Sequence, residues 1–304
     1  MKVLVVSQHG SYVTVNKGLF LVKGKDNSKF EVSPAEVDEI LLISTATISA
    51  RAIQLALTHA IDIFFMNSRE DVWGKVMSSS TTMTVDTRRS QYEAVVQGRG
   101  EEYGREIISA KVENQASHLL HWSRQGYRTS HKVLDQYNEA TAARLYWQDL
   151  ATVVPRDLKF QGRDHDSQDQ FNVSLNYSYA ILYNRVMRYL TLVGLDPYLG
   201  FVHKERSGNE SLVYDFSEMF KPLIDFSLVK AFRQGFRVSL TKGLLDGESR
   251  AKLASLVINA LEEKVKEKHD DHTKTLNQAI KSHAVRLASA LRERRGYRGF
   301  RAKL

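Results

Sequence analysis

The apolar residues of this 304-residue chain change their spacing once, near residue 80, and that change is what most constrains the fold. Before it, short apolar runs at 3–6, 12–15, 19–22, 30–32 and 39–43 are separated by turn signals. Asn16-Lys17-Gly18 and Lys25-Asp26-Asn27 are two of them, and this punctuation is that of strands. Ser49 can cap a helix carrying Ile53, Ala56, Leu57 and Ala60 on one face, and 61–66 reads as a further buried strand. The polar cluster at 78–82, Ser-Ser-Ser-Thr-Thr, reads as a linker. Beyond it the period is helical, over 103–122, from a cap at Ser130 to about 154, and over 172–195, 229–236, 248–268 and 273–294. An α+β chain is expected, with a small β-rich domain over 1–80 and a larger, all-helical domain over 81–304. Apolar strands at 19–22 and 40–43 exceed what a small domain readily buries, so the first domain is expected to dimerise.

The chain has no cysteine. Disulfides, zinc-thiolate sites, iron–sulfur clusters and thiol nucleophiles are excluded together, and any metal must be held by His, Asp, Glu or water. The apolar run after Met1 is too short for the core of a signal peptide, and no stretch approaches the ~18 apolar residues of a membrane span. A cytoplasmic protein without a membrane partner is expected. Net charge is +8 and unevenly placed. Residues 281–304 hold Lys281, Arg286, Arg292, Arg294, Arg295, Arg298, Arg301 and Lys303 against Glu293, so they carry +7 and the rest carries 8 − 7 = +1. A basic C-terminal tail on a near-neutral body suits a polyanion, nucleic acid first, although a solvated tail has the same composition.

Three places in the helical region could supply hard metal ligands. Glu139, in Asn138-Glu139-Ala140-Thr141-Ala142-Ala143-Arg144, reads as a mid-helix carboxylate among small side chains that allow close approach; a solvated helical glutamate is the ordinary alternative. His203 follows Tyr198-Leu199-Gly200-Phe201-Val202, whose apolar side chains can exclude water. Asp215 and Glu218 lie at i and i+3 and share one helical face, with Leu212, Phe216 and Met219 toward the core. Their mutual repulsion is removed by a cation or a nearby Lys. Carboxylates with one imidazole suit Mg²⁺ or Mn²⁺, and such an ion supports phosphodiester chemistry.

Read together, these blocks resemble the CRISPR adaptation integrase family, the Cas-one proteins, over essentially the whole chain. The resemblance rests on Gly10-Ser11-Tyr12-Val13 and Ile48-Ser49-Ala50-Arg51-Ala52-Ile53 in the first region, and on four ordered blocks in the second. These are the Glu139 block; Asn172 with Leu175-Asn176-Tyr177-Ser178-Tyr179; Gly194-Leu195-Asp196-Pro197-Tyr198-Leu199-Gly200-Phe201-Val202-His203; and Ser211-Leu212-Val213-Tyr214-Asp215-Phe216-Ser217-Glu218. The resemblance implies a divalent-metal-dependent DNA endonuclease and integrase, joining captured spacer DNA to a repeat by phosphodiester transesterification. It implies a helical catalytic domain with the ion, Mg²⁺ or Mn²⁺, on Glu139, His203 and Glu218 and with Asp215 beside it. It also implies double-stranded and branched DNA as substrate, a homodimer built through the β domains, and the small second-numbered adaptation protein as partner. Lys221, Arg292, Arg294, Arg295, Arg298 and Arg301 are expected on phosphates. One departure is Phe220-Lys221-Pro222 where the family often has Phe-Arg-Pro, which keeps the charge and loses the bidentate fork. A non-catalytic DNA-binding scaffold and a general nuclease for branched DNA are the rival readings.

Overall fold

The computed structural model describes residues 3–43, 45–67, 72–77, 84–132, 134, 138–202, 208–270 and 272–303. The strand-rich part comprises β1 (Val3–Val6), β2 (Tyr12–Asn16), β3 (Leu19–Lys23), β4 (Lys29–Val32), β5 (Glu39–Ile43), β6 (Thr47–Ile48), α1 (Ala50–Thr58), β7 (Asp62–Met66) and β8 (Val72–Val76). They form two four-stranded sheets, ordered β1-β5-β7-β8 and β4-β3-β2-β6. Ser49 caps α1 as expected, its side chain accepting from the Ala52 amide. The expected linker at 78–82 lies outside the described residues.

β5 explains how the two parts meet. It runs parallel to both β1 and β7, in register Leu4↔Ile40↔Ile63, and all five of its residues are buried. A strand covered on both faces reads as an unbroken apolar run, as Ile40-Leu41-Leu42-Ile43 does. Because side chains alternate between faces, Ile40 and Leu42 pack with Val13, Phe20 and Ala52 of the strand-rich part. Leu41 and Ile43, with Phe64 and Met66 of β7, pack instead into the core of the helices. The expectation that 40–43 is left over for a dimer is therefore corrected: the helical part of the same chain covers it. Among the described residues of this region, large apolar or aromatic side chains that stand out are Tyr12, Phe30, 57% exposed, and Trp73, 66% exposed.

The helical part contains α2 (Thr84–Val96), α3 (Gly100–Ser123), α4 (Glu139–Val153), α5 (Gln170–Leu192), α6 (Ser211–Ser217), α7 (Lys221–Arg233), α8 (Gly247–Glu262) and α9 (Leu276–Arg292). Short strands accompany them: β9 (Leu240–Thr241) with β10 (Leu244–Leu245), and β11 (Lys264–Glu267) between β12 (Thr273–Thr275) and β13 (Ala302–Lys303). The helix expected over 248–268 thus ends at Glu262, and the chain turns back as β11. α9 begins at a capping box, Thr275 with Gln278, that satisfies two otherwise unpaired amides. α5 lies at the centre, with Phe171, Leu175, Tyr177, Leu182, Val186 and Leu190 buried along it. A fully buried ion pair, Arg185 with Glu39 at 2.8 Å, and a half-buried one, Arg188 with Asp62 at 3.2 Å, tie α5 to the ends of β5 and β7.

Candidate metal and active site

Two of the expected carboxylates meet on one ammonium. Lys111 Nζ of α3 lies 2.7 Å from Glu139 Oε1 and 2.7 Å from Glu218 Oε2, although 218 − 139 = 79 residues separate the two acids. Glu139 is not mid-helix. Asn138, whose side chain accepts from the Thr141 amide at 3.0 Å, caps α4, so Glu139 is its first residue. Ser130, the expected cap, instead donates its amide to Asp149. The change matters, because a carboxylate in the first helical turn is stabilised by the unpaired amides there. Glu218 caps the C-terminal end of α6, one residue beyond the helix, and a short turn leads into α7. Its other oxygen takes the Lys221 ammonium. That ammonium also lies 5.2 Å from the ring centroids of Tyr179 and Tyr183, close enough for cation–π attraction.

Burial opposes ionisation of Glu218, but Lys221 and Lys111 outweigh it and hold its pKa down to about 2. Against their own burial, Lys111 is pushed upward by Glu218 and Glu139, and Lys221 by Glu218 and Tyr183. Glu218 is therefore ionised at neutral pH, with two ammonium groups on its two oxygens. The cleft around them measures about 300 Å³ and is lined by Lys111, Arg163, His165, Tyr183, Glu218 and Lys221, among others. A second cavity of about 440 Å³ shares Arg163, His165, Tyr179 and Tyr183 with it and extends past Lys75, Asn176 and Tyr214. Basic and aromatic side chains together suit a polyanion carrying flat rings.

Asp215 points to a different task from Glu218. It is fully buried, and its Oδ2 accepts the amides of Phe201 and Val202 at 2.6 and 2.9 Å. It thus holds the chain immediately before His203, which itself lies outside the described residues. Gln91 of α2, also fully buried, grips the same loop farther back. Its amide nitrogen donates to the carbonyls of Asp196 and Leu199, and its oxygen accepts the Asp196 amide. Two glycines are required here by close approach. A β-carbon at Gly200 would lie 2.8 Å from Asp215 Oδ2, and one at Gly104 would lie 3.1 Å from the Phe201 carbonyl.

A family model described as CRISPR associated protein Cas1 matches residues 4–259. The chain belongs to the Cas1 family. It is 53% identical to CRISPR-associated endonuclease Cas1 2 of Saccharolobus solfataricus over 99% of this chain and 98% of the relative. Among solved structures it superposes with a TM-score of 0.87 on a casposase bound to integration product, covering 98% of this chain and 93% of that one at 20% identity. With a chain of a Cas6-RT-Cas1–Cas2 complex the TM-score is 0.75 at 21% identity, over 97% of this chain and 35% of that chain. At such identities the structural likenesses speak for the fold.

On this Cas1 fold the expected phosphate contacts separate. Arg294, Arg295 and Arg298 are exposed, the first two paired to Glu93 and Glu293 at 3.1 and 2.6 Å. Arg292 is half-buried and donates to Thr87 of α2. Lys221 is committed to Glu218. Arg301 is a correction: 7% exposed, it is fixed by Glu106, Glu113, Ser109 and the Gly299 carbonyl, so its donors are spent inside the protein. The end of the chain is not a solvated tail. Phe300 stacks on Phe220 with ring centroids 5.1 Å apart, and Asn114 of α3 bonds Phe300, Ala302 and the Met219 carbonyl at once.

Lys111, Gln91 and Tyr183 are site residues that the sequence did not single out, and Tyr179 stood in a quoted block without a role. For Lys111 a signal was available: it continues the stripe Ile107, Ala110, Asn114, all buried, where a lysine needs an anion to justify its place. Gln91 carried none, since its partners are backbone atoms about 105 residues away.

Proposed function

We propose that this chain is a divalent-metal-dependent DNA endonuclease and integrase of CRISPR adaptation. The observation that carries the reading is the convergence of Glu139 and Glu218 on a single cation position inside a basic, tyrosine-lined cleft. An oxygen-rich pair completed by one imidazole suits Mg²⁺ or Mn²⁺. Among the described residues no group of three such donors converges, and the third donor of the proposed set is His203. Glu139, Glu218 and His203 would hold the ion, which when bound neutralises charge on a phosphoryl oxygen and favours the deprotonated nucleophile.

The chain's own groups do the rest. Asp215 and Gln91 hold the loop that delivers His203. Lys221, clamped between Glu218 and two tyrosine rings, keeps a positive charge at the cleft where the phosphodiester lies. The oxygen of a strand's 3′-hydroxyl attacks phosphorus, the P–O3′ bond of the target breaks, and the departing 3′-oxygen takes up a proton. One phosphodiester is made for each one broken, so no external energy source is required; with water as nucleophile the same site cuts.

DNA, a second copy of this chain and a Cas2-type protein are the proposed partners, with residues 1–80 as the dimerising domain and 81–304 as the catalytic one. The fold shared with a chain of a Cas6-RT-Cas1–Cas2 complex and with a casposase bound to integration product supports this assignment. Among the described residues, exposed Tyr12, Phe30 and Trp73 are large side chains the strand-rich part offers a second copy. Strand transfer into a repeat-bearing plasmid, with the partner protein and Mn²⁺ or Mg²⁺, tests the reading. Wild-type protein should join a 3′-hydroxyl end, and Glu139→Ala, His203→Ala and Glu218→Ala should not while still binding DNA. Joining at wild-type rate by a folded Glu139→Ala protein would remove the proposed site.

A further inference from the structure

Lys111 stands where two carboxylates would otherwise need a metal. Its ammonium is 2.7 Å from an oxygen of each of Glu139 and Glu218, and its side chain is 13% exposed. It is also held on a rigid frame. Asn114, nearly one turn along α3, donates to the Met219 carbonyl at 2.7 Å, which fixes the helix against the residue after Glu218. The backbones that carry Lys111 and Glu218 are therefore held together, while the lysine's own stem can still turn. A bridging ammonium offsets the repulsion of the pair with one charge for two carboxylates, and the Lys221 ammonium on the other oxygen of Glu218 supplies the second.

We propose that Lys111 is a resident counter-ion: it fills the gap between Glu139 and Glu218 in the ion-free protein, is displaced by the divalent ion, and then turns to a phosphate oxygen of bound DNA. The inference rests on the metal site of the proposed function. Two consequences follow from charge alone. The lysine competes with the ion, so it weakens metal binding and keeps the ion-free site from repelling itself. Once displaced, its ammonium lies in a poorly solvated cleft without a carboxylate of its own, and a phosphodiester is the anion that enters there. Turnover and metal affinity should then respond to its removal in opposite directions, which loss of a merely structural lysine does not produce.

The experiment measures Mn²⁺ binding by calorimetry or electron paramagnetic resonance, beside cleavage and thermal melts in EDTA. Lys111→Met should tighten Mn²⁺ binding by about tenfold, as expected when a competing charge is removed, while cleavage slows and the EDTA-treated protein melts lower. Lys111→Gln serves if the methionine variant does not fold. In the wild-type protein, reductive methylation read by mass spectrometry should label Lys111 slowly in EDTA and faster with Mn²⁺ alone. Unchanged or weaker Mn²⁺ binding in both variants, or labelling that Mn²⁺ does not alter, overturns the proposal. Glu139→Gln and Glu218→Gln separate this failure from that of the site itself: if they bind Mn²⁺ like wild type, the ion is elsewhere.

Discussion

Replacing Glu218 with Gln keeps the shape of the side chain and removes the negative charge that Lys111 and Lys221 share. Its pKa is held from the ordinary 4.5 down to about 2 by those two lysines, against the opposing effect of burial. At 1.36 kcal/mol per unit, that depression corresponds to about 3 kcal/mol of folding free energy at pH 7. The sign follows from a folded-state pKa below the unfolded one. The stabilisation is complete above about pH 4.5 and is lost as pH falls toward 2, because the native carboxylate must then be protonated. Urea unfolding in EDTA, so that no ion contributes, should place Glu218→Gln about 3 kcal/mol below wild type at pH 7 and only about 1 kcal/mol below it at pH 3. A gap under about 1 kcal/mol at pH 7, or one that does not narrow with acid, would mean that the two lysines are not paired to this carboxylate as described.

Removing residues 297–304 takes Phe300 out of the core and leaves Glu106 and Glu113 without Arg301. The melting temperature should fall by roughly 6–12 °C, given about 3 kcal/mol or more for an excised core phenylalanine, and a fall under about 2 °C would show that the segment does not hold α3 to α7. Asp215→Asn should leave the fold intact and weaken Mn²⁺ binding by roughly tenfold, because the support under the loop before His203 loses its charge-assisted bonds; unaltered affinity in a Mn²⁺ titration would refute this. Asp225 is fully buried beneath the cleft, where burial raises its pKa to about 7 although Tyr179 and Tyr146 donate to it. A raised pKa means that its contribution is complete below about pH 4 and is lost as pH rises through 7. Wild-type stability should therefore lose up to about 4 kcal/mol from this group across that window, and Asp225→Asn should remove that share. Parallel urea-unfolding profiles of the two proteins from pH 4 to pH 8 would contradict it.

The strands were legible because period-two alternation and turn residues are local. Each run from 3–6 to 39–43 forms a strand close to its expected bounds, and Ser49 caps its helix. What could not be read was which partner covers a run that is apolar at every position. β5 is buried by its own chain, and only its packing between two cores distinguishes that from an interface. The start of α4 failed for a related reason: residues 130–137 are compatible with a helix, and two good caps, Ser130 and Asn138, compete in the sequence. The structure uses the second, which moves Glu139 from the middle of a helix to its first turn.

The site shows the same division between local and distant information. Spacing alone placed Asp215 and Glu218 on one helical face with Leu212, Phe216 and Met219 inward, and those three are indeed buried. Spacing could not say that the two acids have unlike partners, one taking two backbone amides and the other two lysines. Nor could charge counting separate the arginines near the C-terminus, since a guanidinium inside the protein counts the same as one on its surface. The apolar neighbours Phe300 and Ala302 carried that information, because they make Arg301 part of a buried segment whose charge must be matched by Glu106 and Glu113. The charge near the C-terminal end of this chain thus divides in two. Arg294, Arg295 and Arg298 remain on the surface, while Arg301 fastens α3 in place. Lys111 and Asn114 ride on that helix, so the same buried arginine that is withdrawn from DNA sets the position of the cation between Glu139 and Glu218.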